Sequence, residues 1–124
     1  METIKTLKPN QIFVFGSNAN GYHAGGAARQ AVEYFGACWG IPKGIQGQSY
    51  AIVTLDSNMQ KVALSYILEQ LVELSAYAAK HSDKEFLMTL IGCGIAGFSV
   101  EEISKLFRLI EWPPNVVLPE EFKP

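Results

Sequence analysis

The chain predicts an α/β fold on a mostly parallel sheet, a three-layer α/β/α sandwich. Short, continuously apolar runs alternate with longer stretches of helical periodicity, the pattern of buried strands joined by crossover helices. All eleven glycines fall in residues 16–47 and 92–97, and each segment begins where an apolar run stops. Ligands of open α/β sheets sit beyond the carboxyl ends of the strands, so both glycine segments are expected on one edge of the molecule.

Each element has its own signal. Ile12-Phe13-Val14-Phe15, closed by Gly16, predicts a first strand buried on both faces. Residues 25–36 follow as a helix, with Ala27, Ala28, Ala31, Val32 and Phe35 at helical spacing and Gly36 as its stop. The glycine-rich stretch from Gly36 to Gly47 predicts a long loop, and Tyr50–Leu55 a second buried strand. A long helix is expected from Met59 to Lys80, its apolar stripe running through Val62, Ala63, Tyr66, Ile67, Leu71, Leu74 and Ala78. Phe86–Ile91 reads as the third strand, running into the second glycine segment. Ser99 with Glu102 three residues on forms a capping box before Ile103, Leu106, Phe107 and Ile110, and Trp112-Pro113-Pro114 ends that helix. Asn115–Leu118, closed by Pro119, predicts a last strand.

At 124 residues the chain predicts one domain, residues 1–124. Ten basic and twelve acidic residues leave a formal charge of −2, and no basic block supplies the footprint of nucleic-acid binding. Met1–Lys5 lacks the apolar centre of a signal peptide, and no run reaches membrane-spanning length. The two cysteines, Cys38 and Cys93, make no CxxC pair and suit free thiols in a reducing cytoplasm. No His/Cys/Asp cluster has metal-ligand spacing, and no cofactor is called for.

The chemistry concentrates in the two glycine segments. The first, Gly16–Gly26, opens a helix, and N–H groups at a helix start attract anions. Gly16, Ser17, Asn18, Gly25, Gly26 and Ala27 are the expected ligand contacts there. Asn18 and His23 are its candidate catalytic side chains: one suits a sugar hydroxyl, the other is able to donate or accept a hydrogen bond. A strand-to-helix turn with Asn and Gly in turn roles explains the same residues. The second segment places Gly92-x-Gly94-x-x-Gly97 between a strand and a helix, the local setting of a dinucleotide fingerprint. The chain ends after one further strand and carries no acidic residue at the required strand end, so the segment reads as a phosphate loop. Gly92, Cys93, Gly94, Ile95, Ala96, Gly97 and Phe98 are its expected ligand contacts.

These residues resemble the macrodomain family, α/β domains that bind ADP-ribose, most closely its short bacterial and phage members. The family's first ligand loop carries Asn-Ala-Ala-Asn, a spacer, then three glycines opening a helix. Here Phe15-Gly16-Ser17-Asn18 is followed at the same distance by Ala24-Gly25-Gly26-Ala27-Ala28. Gly94-Ile95-Ala96-Gly97-Phe98 is similar to the loop that straps the diphosphate, with Ala96 in place of its tyrosine. The resemblance implies a small macrodomain-like sandwich, Asn18 facing a ribose, and a small nucleotide ligand such as ADP-ribose. It departs at Phe15 and Ala24, which stand where the family has Asn and Gly. It departs also at the adenine-reading Asp: the first aspartate here is Asp56, and the N-terminal strands are reduced to Ile4–Leu7 at most.

The expected function is therefore binding of ADP-ribose or a related nucleotide phosphate. The alternatives are an ADP-ribosyl hydrolase, a nicotinamide-dinucleotide binder and a non-enzymatic protein-interaction module. Three more side chains stay open: Lys43 as a phosphate contact, as the covalent nucleophile that some members of the resembled family use, or as a solvated lysine, Cys93 as a partner of His23 or as packing, and Trp39 as a base platform or a core plug.

Overall fold

The fold was obtained as a computed structural model, which describes residues 5–123. Five strands form one sheet: β1 (Gln11–Asn18), β2 (Gly44–Gln46), β3 (Ser49–Leu55), β4 (Glu85–Met88) and β5 (Val116–Val117), in the order β2-β3-β1-β4-β5. β1 runs parallel to both β3 and β4, and β4 parallel to β5; β2 alone is antiparallel, folding back on β3. Three α-helices connect them: α1 (Gly26–Tyr34), α2 (Leu64–Lys80) and α3 (Val100–Phe107). A short 3₁₀ turn spans Glu120–Phe122.

β1 is the centre of the molecule because its alternate residues serve two cores. Phe13 and Phe15 pack with Ala28, Ala31 and Phe35 of the α1 side and with Ala51. Ile12 and Val14 pack with Ile52 and with Ile67, Leu71 and Leu74 of α2 and Ile103 and Phe107 of α3. The continuous apolar run Ile12–Phe15 is what such a doubly buried strand needs.

The chain leaves β1 toward β3 and later crosses back to β4 on β1's other side. The carboxyl ends of β1 and β4 therefore open a crevice at the reversal of strand order, with α1 leaving on one core's side and α3 on the other's.

Several boundaries shift from the sequence expectation, each for a local reason. The second helix starts at Leu64, not at Met59. The Asp56 carboxylate accepts the N–H groups of Asn58 and Gln60, and Met59 takes φ 59°, so a tight turn occupies this stretch. The strand expected over Phe86–Ile91 leaves the sheet after Met88, since the Ile91 N–H turns back to Thr89 O. The loop expected over 36–47 contains β2, which pairs Gly44 with Ala51 and Gln46 with Ser49. Lys5–Lys8 form no regular element, and Ile4 lies outside the described residues.

α3 begins as expected. Ser99 Oγ accepts the Glu102 N–H at 3.0 Å, and Glu102 Oε1 accepts the Ser99 N–H at 3.0 Å. Trp112 packs on Phe107 with ring centroids 5.2 Å apart and donates its indole N–H to Phe107 O, so it belongs to the core margin. Beyond Ala51 no strand among the described residues pairs with the outer edge of β3, which meets only a single bridge from Lys61 to Leu55. There the buried Gln70 amide bonds to the Val53 backbone twice, donating to its carbonyl at 2.8 Å and accepting from its N–H at 2.7 Å. No helix among the described residues is long and apolar enough to cross a membrane.

Candidate functional site: a cleft between two glycine loops

The crevice at the β1 and β4 ends is a cleft of about 250 Å³. Gly16, Ser17 and Asn18 of β1 form one wall with Gly25, Gly26 and Ala27 at the start of α1; Gly92, Gly94, Ile95 and Ala96 form the other. The two loops touch across it: a Cβ on Gly25 would lie 3.4 Å from Ile95 Cδ1, and one on Gly16 3.5 Å from the Gly92 nitrogen. Two segments separated by more than sixty residues in the sequence thus share one site.

The lining is uncharged, so an anion entering it meets no carboxylate wall. Its donors are backbone N–H groups. The first turn of α1 has no side-chain cap, leaving the N–H groups of Gly26, Ala27 and Ala28 without partners inside the helix. In the second loop, Gly97 N–H donates to Gly94 O and Phe98 N–H to Gly92 O, which fold Gly92–Phe98 into a compact turn. The N–H groups of Gly94, Ile95 and Ala96 have no acceptor among the described residues. Near the outside of this turn, Lys61 Nζ stands 5.1 Å above the Phe98 ring, placing positive charge beside the loop.

Not every expected contact lines the cleft. Phe98 is buried, and its ring would lie 3.1 Å from a Cβ on Gly92, so it supports the loop from beneath. Gly97 lies against Lys61. Cys93 faces a second, more apolar cavity bordered by Phe13, Leu87 and Pro119. Its Sγ lies 3.5 Å from Ile91 O, and burial pushes the thiol up, with Glu102 and Glu121 adding to the shift. A thiol held protonated is a poor nucleophile, and nothing pairs it with His23 among the described residues.

The two candidate catalytic side chains are engaged in structure. Asn18 Nδ2 donates to Tyr22 O at 2.8 Å, while its Oδ1 accepts the N–H groups of Asn20 and Tyr22 at 3.2 and 3.1 Å. The amide ties residues 18–22 into a turn, leaving one hydrogen for anything else. His23 is only 2% exposed and lies outside the cleft lining. Its Nε2 donates to Ile41 O at 3.0 Å, its ring stands edge-on to Phe15 at 5.3 Å, and Nδ1 is buried without a partner. His23 therefore anchors the 36–43 loop to the first core.

The other open side chains also find places. Lys43 pairs with Glu73 of α2 at 3.0 Å, and that hydrogen bond holds its ammonium above the usual lysine range. Trp39 is 57% exposed and plugs no core; its ring stacks on Tyr22 with centroids 5.5 Å apart and planes 17° apart.

Tyr22, Ala24, Thr54, Met59, Thr89 and Leu90 line the cleft although sequence reasoning did not propose them as contacts. Thr54 and Thr89 stand at or just past the carboxyl ends of β3 and β4, where the strand-end rule would have found them. Tyr22 and Met59 reach the site through turns whose geometry is not legible from residue types. The chain matches no protein-family model, no curated protein and no solved structure.

Proposed function

We propose that the cleft binds ADP-ribose or a related nucleotide phosphate, its phosphates lying between the start of α1 and the Gly92–Phe98 turn. The observation that carries this reading is the convergence of the two glycine loops on one crevice, in contact at Gly25 and Ile95 and walled by backbone donors without a carboxylate. The two cores on alternate residues of β1 support the three-layer, macrodomain-like arrangement the resemblance implies. Turnover through Asn18 and His23 gains no support: the Asn18 amide holds its own loop, and His23 is buried outside the cleft. Binding is therefore favoured over hydrolysis.

Thermal unfolding with ADP-ribose, AMP and NAD tests the reading. A ligand at about a hundred times its Kd adds about 2.7 kcal/mol, a rise in Tm on the order of 10 °C for a domain of this size. Gly94→Leu is expected to abolish that rise while leaving the melting of the free protein within a few degrees, because a Cβ at Gly94 meets no atom within 4 Å and points no side chain into the core. A shift with NAD and none with ADP-ribose would favour the dinucleotide reading. Silence from every nucleotide would leave the protein-interaction module.

A further inference from the structure

The 36–43 loop is the part of the molecule that neither the fold nor the cleft accounts for. It is held firmly. The Gly40 N–H donates to Gly21 O at 2.8 Å, the buried His23 ring donates to Ile41 O, and the buried Gln46 amide both accepts the Cys38 N–H at 2.8 Å and donates to Ile41 O at 3.1 Å. Gly21, at φ 69°, sits so close that a Cβ there would lie 2.5 Å from the Gly40 carbonyl carbon. These tethers hold Trp39 at the surface, beside the less exposed Ile41 and flat against Tyr22. His23 braces Trp39 from the side, its ring 6.5 Å away and nearly perpendicular.

Tyr22 is 54% exposed and borders the cleft. Its backbone N–H and carbonyl build the turn with Asn18, whereas its ring stacks on Trp39 beside the cleft and its hydroxyl has no hydrogen-bond partner among the described residues. The fold thus uses the main chain of Tyr22 and leaves its ring over. Two stacked, exposed aromatic rings at the rim of an uncharged, donor-walled cleft form a platform for a third flat ring.

We propose that Tyr22, backed by Trp39, is the stacking subsite for the aromatic base of the nucleotide whose phosphate occupies the cleft. This inference rests on the nucleotide-phosphate reading of the cleft and adds the base position and the loop that builds it. His23 is a positioning residue here: it holds Ile41 and braces Trp39 without touching the ligand. Stacking reads a π-face and not a hydrogen-bonding edge, so the subsite favours purines by area over pyrimidines and discriminates weakly between adenine and guanine.

The test compares AMP with ribose 5-phosphate, which differ by the base alone, using calorimetry on the full chain. The wild-type protein is expected to bind AMP at least about fivefold more tightly, the low end of what one stacked base contributes. Tyr22→Ala is expected to bring the ratio of the two affinities down toward one, Trp39→Ala to reduce it in part, and Tyr22→Phe to keep it, since the ring and not the hydroxyl is used. Near-ultraviolet circular dichroism of each variant checks that the fold persists. Wild-type affinities that are equal for the two compounds, or a ratio unchanged by Tyr22→Ala in a folded protein, would overturn the stacking subsite and leave the cleft reading standing. Binding of neither compound overturns the stacking subsite, and overturns the cleft reading as well where ADP-ribose and NAD are also silent. A dimer in sedimentation that Tyr22→Ala dissolves, with the ratio intact, would assign the aromatic pair to self-association instead.

Discussion

Gly25 and Gly26 are neighbours in the same motif and answer to different constraints. Gly25 sits at φ −151°, extended backbone open to any residue, and its hydrogens face Ile95. Gly26 has open space around it but sits at φ 61°, where a side chain is strained. Gly26→Ala is expected to lower stability by about 1–2 kcal/mol, read as a reduced urea midpoint at unchanged slope, although the methyl group clashes with nothing. Gly26 is therefore a poor position for blocking the cleft, and Gly94 the better one. The residue types in both loops were legible in the sequence, since Gly and Asn at strand ends have few other uses. Their individual roles were not. An asparagine that binds a sugar and one that ties its own turn look identical until its partners, here Asn20 and Tyr22, are seen. A loop histidine reads as solvated until the 36–43 loop is found lying over it.

Among the elements, α3 was the most legible because its start is written in a two-residue code. Ser99→Ala is expected to cost about 1 kcal/mol, measured by thermal unfolding at neutral pH. The box also has an acid limb. The N–H of Ser99 bonded to Glu102 holds that carboxylate below its usual range, with smaller help from Lys61 and Lys105. A group with a lowered folded value adds stability above its unfolded value and loses it as pH falls through the folded one. Glu102→Gln is therefore expected to flatten the decline in Tm below about pH 4.5, and its effect should shrink once the wild-type carboxylate is protonated. The elements that escaped the sequence are the short ones. β2 has three residues, two of them Gly44 and Gln46, and owes its existence to the partner β3 supplies. The start of α2 was displaced because Met59 sits at φ 59° and the next residues fold back on β3, Lys61 bridging Leu55 and the Val62 N–H donating to Thr54 O.

At the scale of the molecule, strand burial and the succession of strands along the chain followed from the apolar runs, while the hairpin that returns β2 on β3, with Gln46 opposite Ser49, carries no apolar signal, and the stacked Tyr22–Trp39 pair depended on tethers between two separate loops. The core itself carries a pH signature. Burial pushes the Tyr50 hydroxyl up to about 12, with Glu73 and Tyr77 adding to it. The unfolded chain releases that proton near pH 10 and the folded one near 12, so stability falls across this interval as pH rises. Tyr50→Phe is expected to make the alkaline limb of a Tm–pH profile shallower between those values. A different vulnerability follows from Gln70. Its amide occupies the place a sixth strand would take, offering Val53 the same donor and acceptor a neighbour's backbone would. Gln70→Leu would leave the Val53 N–H and carbonyl buried without partners, at a cost of about 1–3 kcal/mol for each group. Thermal unfolding of the variant should show a clearly lower Tm than the parent, making one glutamine the stand-in for a missing neighbour along that edge.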